Sequence, residues 1–157
     1  SDGKGLPLPN DTVAMYFRSP NESWFATRSG VVRVSDGKVK IFTENDNLES
    51  ELIQDIGPGQ DNETWVATRH GIGRWDGSRW SFPKLGPFYL RSTSLGHDQH
   101  GHIFLGTEKG LYCIGDCSPE PIDSKRGLLD DLVLDLTVDA RGRVWVLTEK
   151  GISIVDP

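Results

Sequence analysis

One block recurs four times along this chain and governs what it can fold into. It reads Ser23-Trp-Phe-Ala-Thr-Arg-Ser-Gly30, Thr64-Trp-Val-Ala-Thr-Arg-His-Gly71, Ile103-Phe-Leu-Gly-Thr-Glu-Lys-Gly110 and Val144-Trp-Val-Leu-Thr-Glu-Lys-Gly151. The anchor aromatics Trp24, Trp65, Phe104 and Trp145 are spaced 41, 39 and 41 residues apart. A period near 40 residues, assembled from short apolar runs and turn residues, is that of β-propeller blades. The expected fold is therefore all-β, with four repeats forming four-stranded antiparallel sheets over about 10–46, 47–85, 86–126 and 127–157. No stretch sustains a helical period, so almost no helix is expected.

Each repeat divides in the same way. An apolar residue nine positions before the anchor (Met15, Ile56, Leu95, Leu136) marks a first strand. Asn21, Asn62, Gly101 or Gly142 then supplies a turn residue tolerant of positive φ. The second strand carries the anchor and ends at Thr27, Thr68, Thr107 or Thr148, and a two-residue tip leads to a glycine. A third strand follows. Asp36-Gly37 and Asp76-Gly77 turn into a fourth, Val39–Thr43 or Arg79–Phe82, because Asp-Gly between apolar alternations is a strong hairpin signal. The last repeat ends before any fourth strand, and the short 4–9 segment is a poor substitute for it. Trp80, on an outer strand, is the one tryptophan whose packing the pattern does not assign.

These residues carry a family resemblance. Gly5-Leu-Pro-Leu-Pro-Asn-Asp-Thr-Val13, Asp139-Ala-Arg-Gly-Arg-Val-Trp-Val-Leu-Thr-Glu-Lys-Gly151 and Asp76-Gly77 resemble the two-component regulator propeller repeat, in four copies over nearly the whole chain. The third copy departs most, with Phe104 in place of Trp and an aromatic entry around Phe88 and Tyr89. The resemblance implies propellers of seven blades, placed as periplasmic sensor regions before a membrane-spanning kinase. Seven such repeats need about 280 residues, so four make just over half a ring. Three arrangements follow: a closed four-bladed ring, an arc completed by a second chain such as a homodimer, and a fragment of a larger propeller. The partial propeller or paired arc is favoured, since an open arc of this kind presents strand edges and an apolar blade face. With Met15 as its only methionine, the chain is expected to be a mature or excised piece.

Composition narrows the function. The formal net charge is −6, which argues against nucleic acid or an anionic membrane surface as the main partner. No apolar run is long enough to span a membrane. Cys113 and Cys117 flank a three-residue loop, which suits either a disulfide or a pair of reduced, partly buried thiols. The disulfide is the favoured state, and it places the chain in the periplasm or outside the cell.

Propeller ligands generally meet the face built from the second-to-third-strand tips and the loops between blades. Those tips carry Arg28, Arg69, His70, Lys109 and Lys150, a cation in every blade of an otherwise acidic chain. Such a ring suits a carboxylate, sulfate or uronic-acid group, with arginine binding bidentately. Tyr89 and Arg91 in the long third entry loop extend this candidate surface. His97, His100 and His102, beside Asp98, are the densest set of imidazoles, yet they lack a fourth ligand; they are weak metal candidates against a solvated turn. The anchors read as inter-sheet packing, and the repeated threonines as hydroxyls satisfying turn backbone.

The function expected from these features is a non-enzymatic sensing or interaction module without a cofactor. Its partner would be a small anionic or saccharide ligand, or another protein. The alternatives are a metal-dependent lyase or lactonase, whose blades are similar to these and include the virginiamycin B lyase type, and a purely structural scaffold.

Overall fold

A computed structural model describes residues 11–49, 52–82, 91–118 and 120–157. Four antiparallel sheets follow one another in chain order. The first contains β1 (Thr12–Ser19), β2 (Glu22–Thr27), β3 (Gly30–Ser35) and β4 (Lys38–Phe42). The second contains β5 (Ile53–Pro58), β6 (Thr64–Thr68), β7 (Gly71–Trp75) and the short β8 (Trp80–Ser81). The third has β9 (Ser92–His97), β10 (Ile103–Thr107) and β11 (Gly110–Ile114), and the fourth has β12 (Val133–Val138), β13 (Val144–Thr148) and β14 (Gly151–Val155). Both of these sheets have three strands. A single antiparallel bridge, Leu111 to Ile122, stands in for a fourth strand in blade three. The one helical element among the described residues is a 3₁₀ turn at Glu44–Asp46, capped by the Thr43 side chain.

The four-blade reading therefore holds, with sheets of three or four strands. Asn62, Gly101 and Gly142 do take positive φ, whereas Asn21 is not among the residues that do. Blade one has only Pro20 and Asn21 between paired Ser19 and Glu22, while blade two spans 59–63 and so reaches a left-handed residue at Asn62.

Tertiary order comes from stacking the sheets face to face. The first strands β1, β5, β9 and β12 neighbour one another in turn. Trp24 is fully buried and stacks on Phe42 of its own sheet at 5.8 Å. It also meets Trp75 and Trp80 of the next sheet at 6.2 and 6.3 Å. Trp80 is thus a buried wedge between blades one and two. Trp65 packs in the same way with Ile103, Leu105 and Tyr112 of blade three. Phe104 packs with Val133, Leu136, Val144 and Val146 of blade four. Such stacking of half-apolar sheets is how repeat architectures build a continuous core.

Polar contacts tie neighbouring blades at defined heights. Arg18 donates to the Asn62 and Glu63 carbonyls, and Gln60 to the His100 carbonyl, so these turns share one end of the assembly. The Asp55 carboxylate accepts the Leu95 backbone N–H at 2.7 Å, midway along the inner strands. Thr93 donates to the Val133 carbonyl near the opposite end.

The two outermost faces are uncovered. Met15 and Phe17 on β1 are 60% and 70% exposed. Ile152 and Ile154 on β14 are 59% and 51% exposed. The described residues therefore form an open arc of a propeller rather than a ring in which the first and last sheets pack together.

Candidate functional site

The tips expected to carry ligand contacts are built by one repeated device. Thr27, Thr68, Thr107 and Thr148 each donate a hydroxyl hydrogen bond to the carbonyl of the glycine three residues on. In the first three blades the same hydroxyl accepts the backbone N–H two residues along. Gly30, Gly71, Gly110 and Gly151 all take φ between 112 and 130°, so a side chain at these positions would be strained. The result is a stiff two-residue tip whose side chains face solvent.

Arg28, Arg69, His70, Lys109 and Lys150 all sit on these tips and are exposed. They do not hold one strict position. Arg28 and Arg69 follow the threonine directly, whereas Lys109 and Lys150 come second, after Glu108 and Glu149. Lys150 is partnered, 3.2 Å from Asp130, and this contact holds the Asp130 carboxyl below its usual range. Among the described residues, no side-chain hydrogen bond or ion pair engages Arg28, Arg69 or Lys109. By contrast, Arg18 and Arg33 both meet Glu22, Arg74 meets Glu63, and Arg143 meets Asp139. Arg91 is exposed at the start of the third blade; Tyr89 lies outside the described residues.

At the opposite end the histidine cluster has a structural explanation. In blades one and two, the residue two before the anchor is a glutamate that receives the indole N–H: Trp24 donates to Glu22 at 2.8 Å and Trp65 to Glu63 at 3.0 Å. An arginine on the third strand, Arg33 or Arg74, meets the same carboxylate. Blade four inverts this arrangement. Arg143 takes the glutamate position, and Asp139 in the turn collects the Trp145 indole and the Arg143 guanidinium. The Trp145 hydrogen bond, with those from Arg143 and the backbone of Arg141 and Arg143, keeps Asp139 well below the carboxylate range.

His102 holds the Arg143 position in blade three, and its Nδ1 lies 2.7 Å from Asp98. Burial acts to raise the Asp98 pKa, but hydrogen bonds from the His102 ring and from the His102 and His100 amides outweigh it and leave Asp98 lowered. The His100 ring is 6.2 Å from that of His102, while His97 closes β9 and is exposed. Among the described residues, no group of three His, Cys, Asp or Glu side chains is placed to hold a metal ion.

Cys113 and Cys117 are joined in a disulfide. Beside it lies a cavity of about 370 Å³, lined by Phe104, Leu111, Cys117, Ile122, Asp156 and Pro157 among others. Nothing in the sequence pattern pointed to it, because it forms between blade three and residues 156–157 rather than within one repeat. No helix among the described residues is long and apolar enough to cross a membrane.

No protein-family model matches the sequence, and no curated protein matches it either. Solved structures do. The chain is similar to the extracellular domain of a hybrid two-component system from B. thetaiotaomicron, with 22% identity and a TM-score of 0.75 over 94% of this chain. It spans 21% of that protein. It is also similar to virginiamycin B lyase from Staphylococcus aureus, with 13% identity and a TM-score of 0.64, over 94% of this chain and 56% of that one. A gluconolactonase from Xanthomonas campestris gives 14% identity and a TM-score of 0.63, over 86% of this chain and 55% of that one. The likeness to a two-component extracellular domain agrees with the resemblance read from the repeats, and at these identities what is shared is the propeller fold.

Proposed function

We propose that this chain is a non-enzymatic binding module from an extracytoplasmic sensor propeller, and that its tip face takes an anionic group such as a uronic acid or a sulfated sugar. The observation that carries this reading is that Arg28, Arg69 and Lys109, on successive rigid tips, have no side-chain partner among the described residues, while Arg18, Arg33, Arg74 and Arg143 are held by carboxylates. Guanidinium groups left free on a stiff scaffold can engage carboxylate or sulfate bidentately without first breaking an internal ion pair. The Cys113–Cys117 disulfide suits an oxidising compartment, and the likeness to a two-component extracellular domain supports the same placement. Binding would act by favouring one state of an attached signalling element.

Thermal unfolding of the chain with glucuronic acid, a sulfated disaccharide and a neutral sugar tests this. The anionic ligands should raise Tm saturably and the neutral sugar should not. An Arg28→Ala/Arg69→Ala variant should keep the ligand-free Tm and lose the shift. Equal shifts in that variant, or none with either anion at millimolar concentration, would overturn the proposal.

The likeness to a lyase and a lactonase makes catalysis the second reading, with His70 the one imidazole on the tip face. Turnover of a lactone or cyclic ester that vanishes in His70→Ala would favour it.

A further inference from the structure

The hairpin turns after β3 and β7 carry the same dipeptide, Asp36-Gly37 and Asp76-Gly77, and the structure holds the two in different ways. Aspartate before glycine is prone to succinimide formation, because glycine has no Cβ to hinder attack by its own nitrogen. At both turns a Cβ built on the glycine meets nothing within 4 Å, so the space that ring closure needs is open. What differs is the carboxyl.

In blade two the carboxyl is occupied. Asp76 Oδ1 accepts the Arg79 and Ser78 backbone N–H groups, each at 2.9 Å, and the Ser78 hydroxyl at 2.8 Å. Its Oδ2 lies 3.6 Å from the Arg79 guanidinium. The hydrogen bonds from the Arg79 and Ser78 amides hold the Asp76 carboxyl far below its usual range, so the neutral acid that a nitrogen can attack is scarce. In blade one Asp36 is exposed, and among the described residues no hydrogen bond or ion pair reaches its carboxylate. Only its backbone is held, the N–H donating to the Asn21 carbonyl at 3.0 Å. Asp36 and Gly37 form a two-residue tip between paired Ser35 and Lys38, with φ of 49° and 74°. The left-handed conformation is unfavourable for a residue with a Cβ. The tip leads into β4, an edge strand whose first four residues are exposed, so opening the hairpin there costs little.

We propose that Asp36-Gly37 is a modification site, at which the folded chain converts spontaneously to isoaspartate, and that Asp76-Gly77 is protected from the same reaction. The Gly37 nitrogen attacks Cγ of the neutral Asp36 acid. The N–Cγ bond forms, and the acid hydroxyl leaves with the amide proton as water. Water then opens the succinimide. Attack at Cγ restores aspartate, while attack at the main-chain carbonyl breaks its bond to the Gly37 nitrogen and leaves the chain running through Cγ. No electrons are transferred, and water is the only co-reactant. The product has an extra methylene in its main chain and a free α-carboxylate, so the tip can no longer keep Ser35 opposite Lys38. That loosens β4 and the Phe42 ring it stacks on Trp24. The proposal is independent of the tip face.

Cleavage by trypsin after Arg33 and Lys38, and after Arg74 and Arg79, puts each dipeptide in its own fragment, 34–38 and 75–79. The intact chain is aged at mildly acidic pH, either folded or in urea, and then digested. Chromatography with electron-transfer fragmentation resolves the aspartate, succinimide and isoaspartate forms of each fragment. In the folded chain isoaspartate should accumulate at Asp36 at least about tenfold faster than at Asp76, because the neutral acid is scarcer there by at least that factor. In urea, where the hydrogen bonds to Asp76 are gone, the two rates should converge. Three results would overturn the proposal. One is equal or faster reaction at Asp76 in the folded chain. Another is no isoaspartate at Asp36 under conditions where the unfolded chain forms it. The third is a ratio unchanged in urea, which would place the difference in the neighbouring residues rather than in the turns.

Discussion

Replacing the same repeat residue at a sealed junction and at the open end separates inter-sheet packing from any role internal to a blade. Trp24 is fully buried and its ring meets Phe42, Trp75 and Trp80. Trp24→Ala removes those contacts and the indole hydrogen bond to Glu22, whose carboxylate keeps Arg18 and Arg33, and leaves a cavity between two sheets. Such truncations cost about 3–5 kcal/mol. Trp145 is only half-buried; Arg143 lies over its ring at 5.6 Å and its indole donates one hydrogen bond to Asp139. Trp145→Ala should cost about 1–2 kcal/mol, from a single hydrogen bond and partial apolar area. Urea unfolding followed by far-UV circular dichroism reads both. With a slope of about 2 kcal/mol/M, the midpoints of the two variants should differ by roughly 1 M. Equal losses would refute the reasoning, since they would mean that the Trp145 face is covered as fully as that of Trp24.

Other positions give sharper signs than magnitudes. Ser94 is 2% exposed and its hydroxyl has no hydrogen-bond partner among the described residues, so Ser94→Ala should leave stability unchanged or raise it by about 1 kcal/mol in the same assay; a loss beyond that would mean the hydroxyl is satisfied. Burial raises the Asp55 pKa, with Asp135 adding to it, against hydrogen bonds from Leu95 and Ile56. A raised acid contributes stability below its unfolded value of about 3.9 and loses it as pH climbs through the folded value. Asp55→Asn keeps an acceptor for the Leu95 N–H without the charge, so its Tm relative to the parent should rise with pH above about 4 and then level off; a deficit at every pH would show that the carboxylate serves as an anion. Reducing the Cys113–Cys117 disulfide opens a five-residue loop and should lower unfolding free energy by no more than about 2 kcal/mol, measured by urea titration with and without reductant. A larger loss would mean the bond shapes the adjoining cavity wall.

Much of the fold could be read from the chain because each blade repeats its own grammar. The threonine and glycine of every tip, the buried anchors and the Asp-Gly turns after β3 and β7 are local signals, and they stand where the period placed them. What escaped the pattern depends on neighbouring blades. Asp55 is an unremarkable strand residue until a register shift between Ile53 and Asp55 turns it toward the Leu95 amide of the next blade. Trp80 could not be assigned from its own hairpin, because what buries it is Trp24 of the preceding sheet. His102 looked like a candidate ligand until the equivalent Arg143 showed what that position does: it binds the aspartate that opens the turn. The tip cations were visible as residues, but that Lys150 is engaged by Asp130 while Arg28, Arg69 and Lys109 meet no carboxylate among the described residues needed coordinates.

The central claim is an open arc of four sheets, in which β14 is an edge of the fourth among the described residues. Hydrogen exchange at three equivalent amides tests it most directly. Leu111 donates to Ile122, Val31 is paired with Phe42 in β4, and Ile152 faces outward. The account predicts slow exchange at Leu111 and Val31 and fast exchange at Ile152 in the ligand-free monomer. Protection of Ile152 equal to that of Leu111 would contradict it, because the β14 edge would then already be paired.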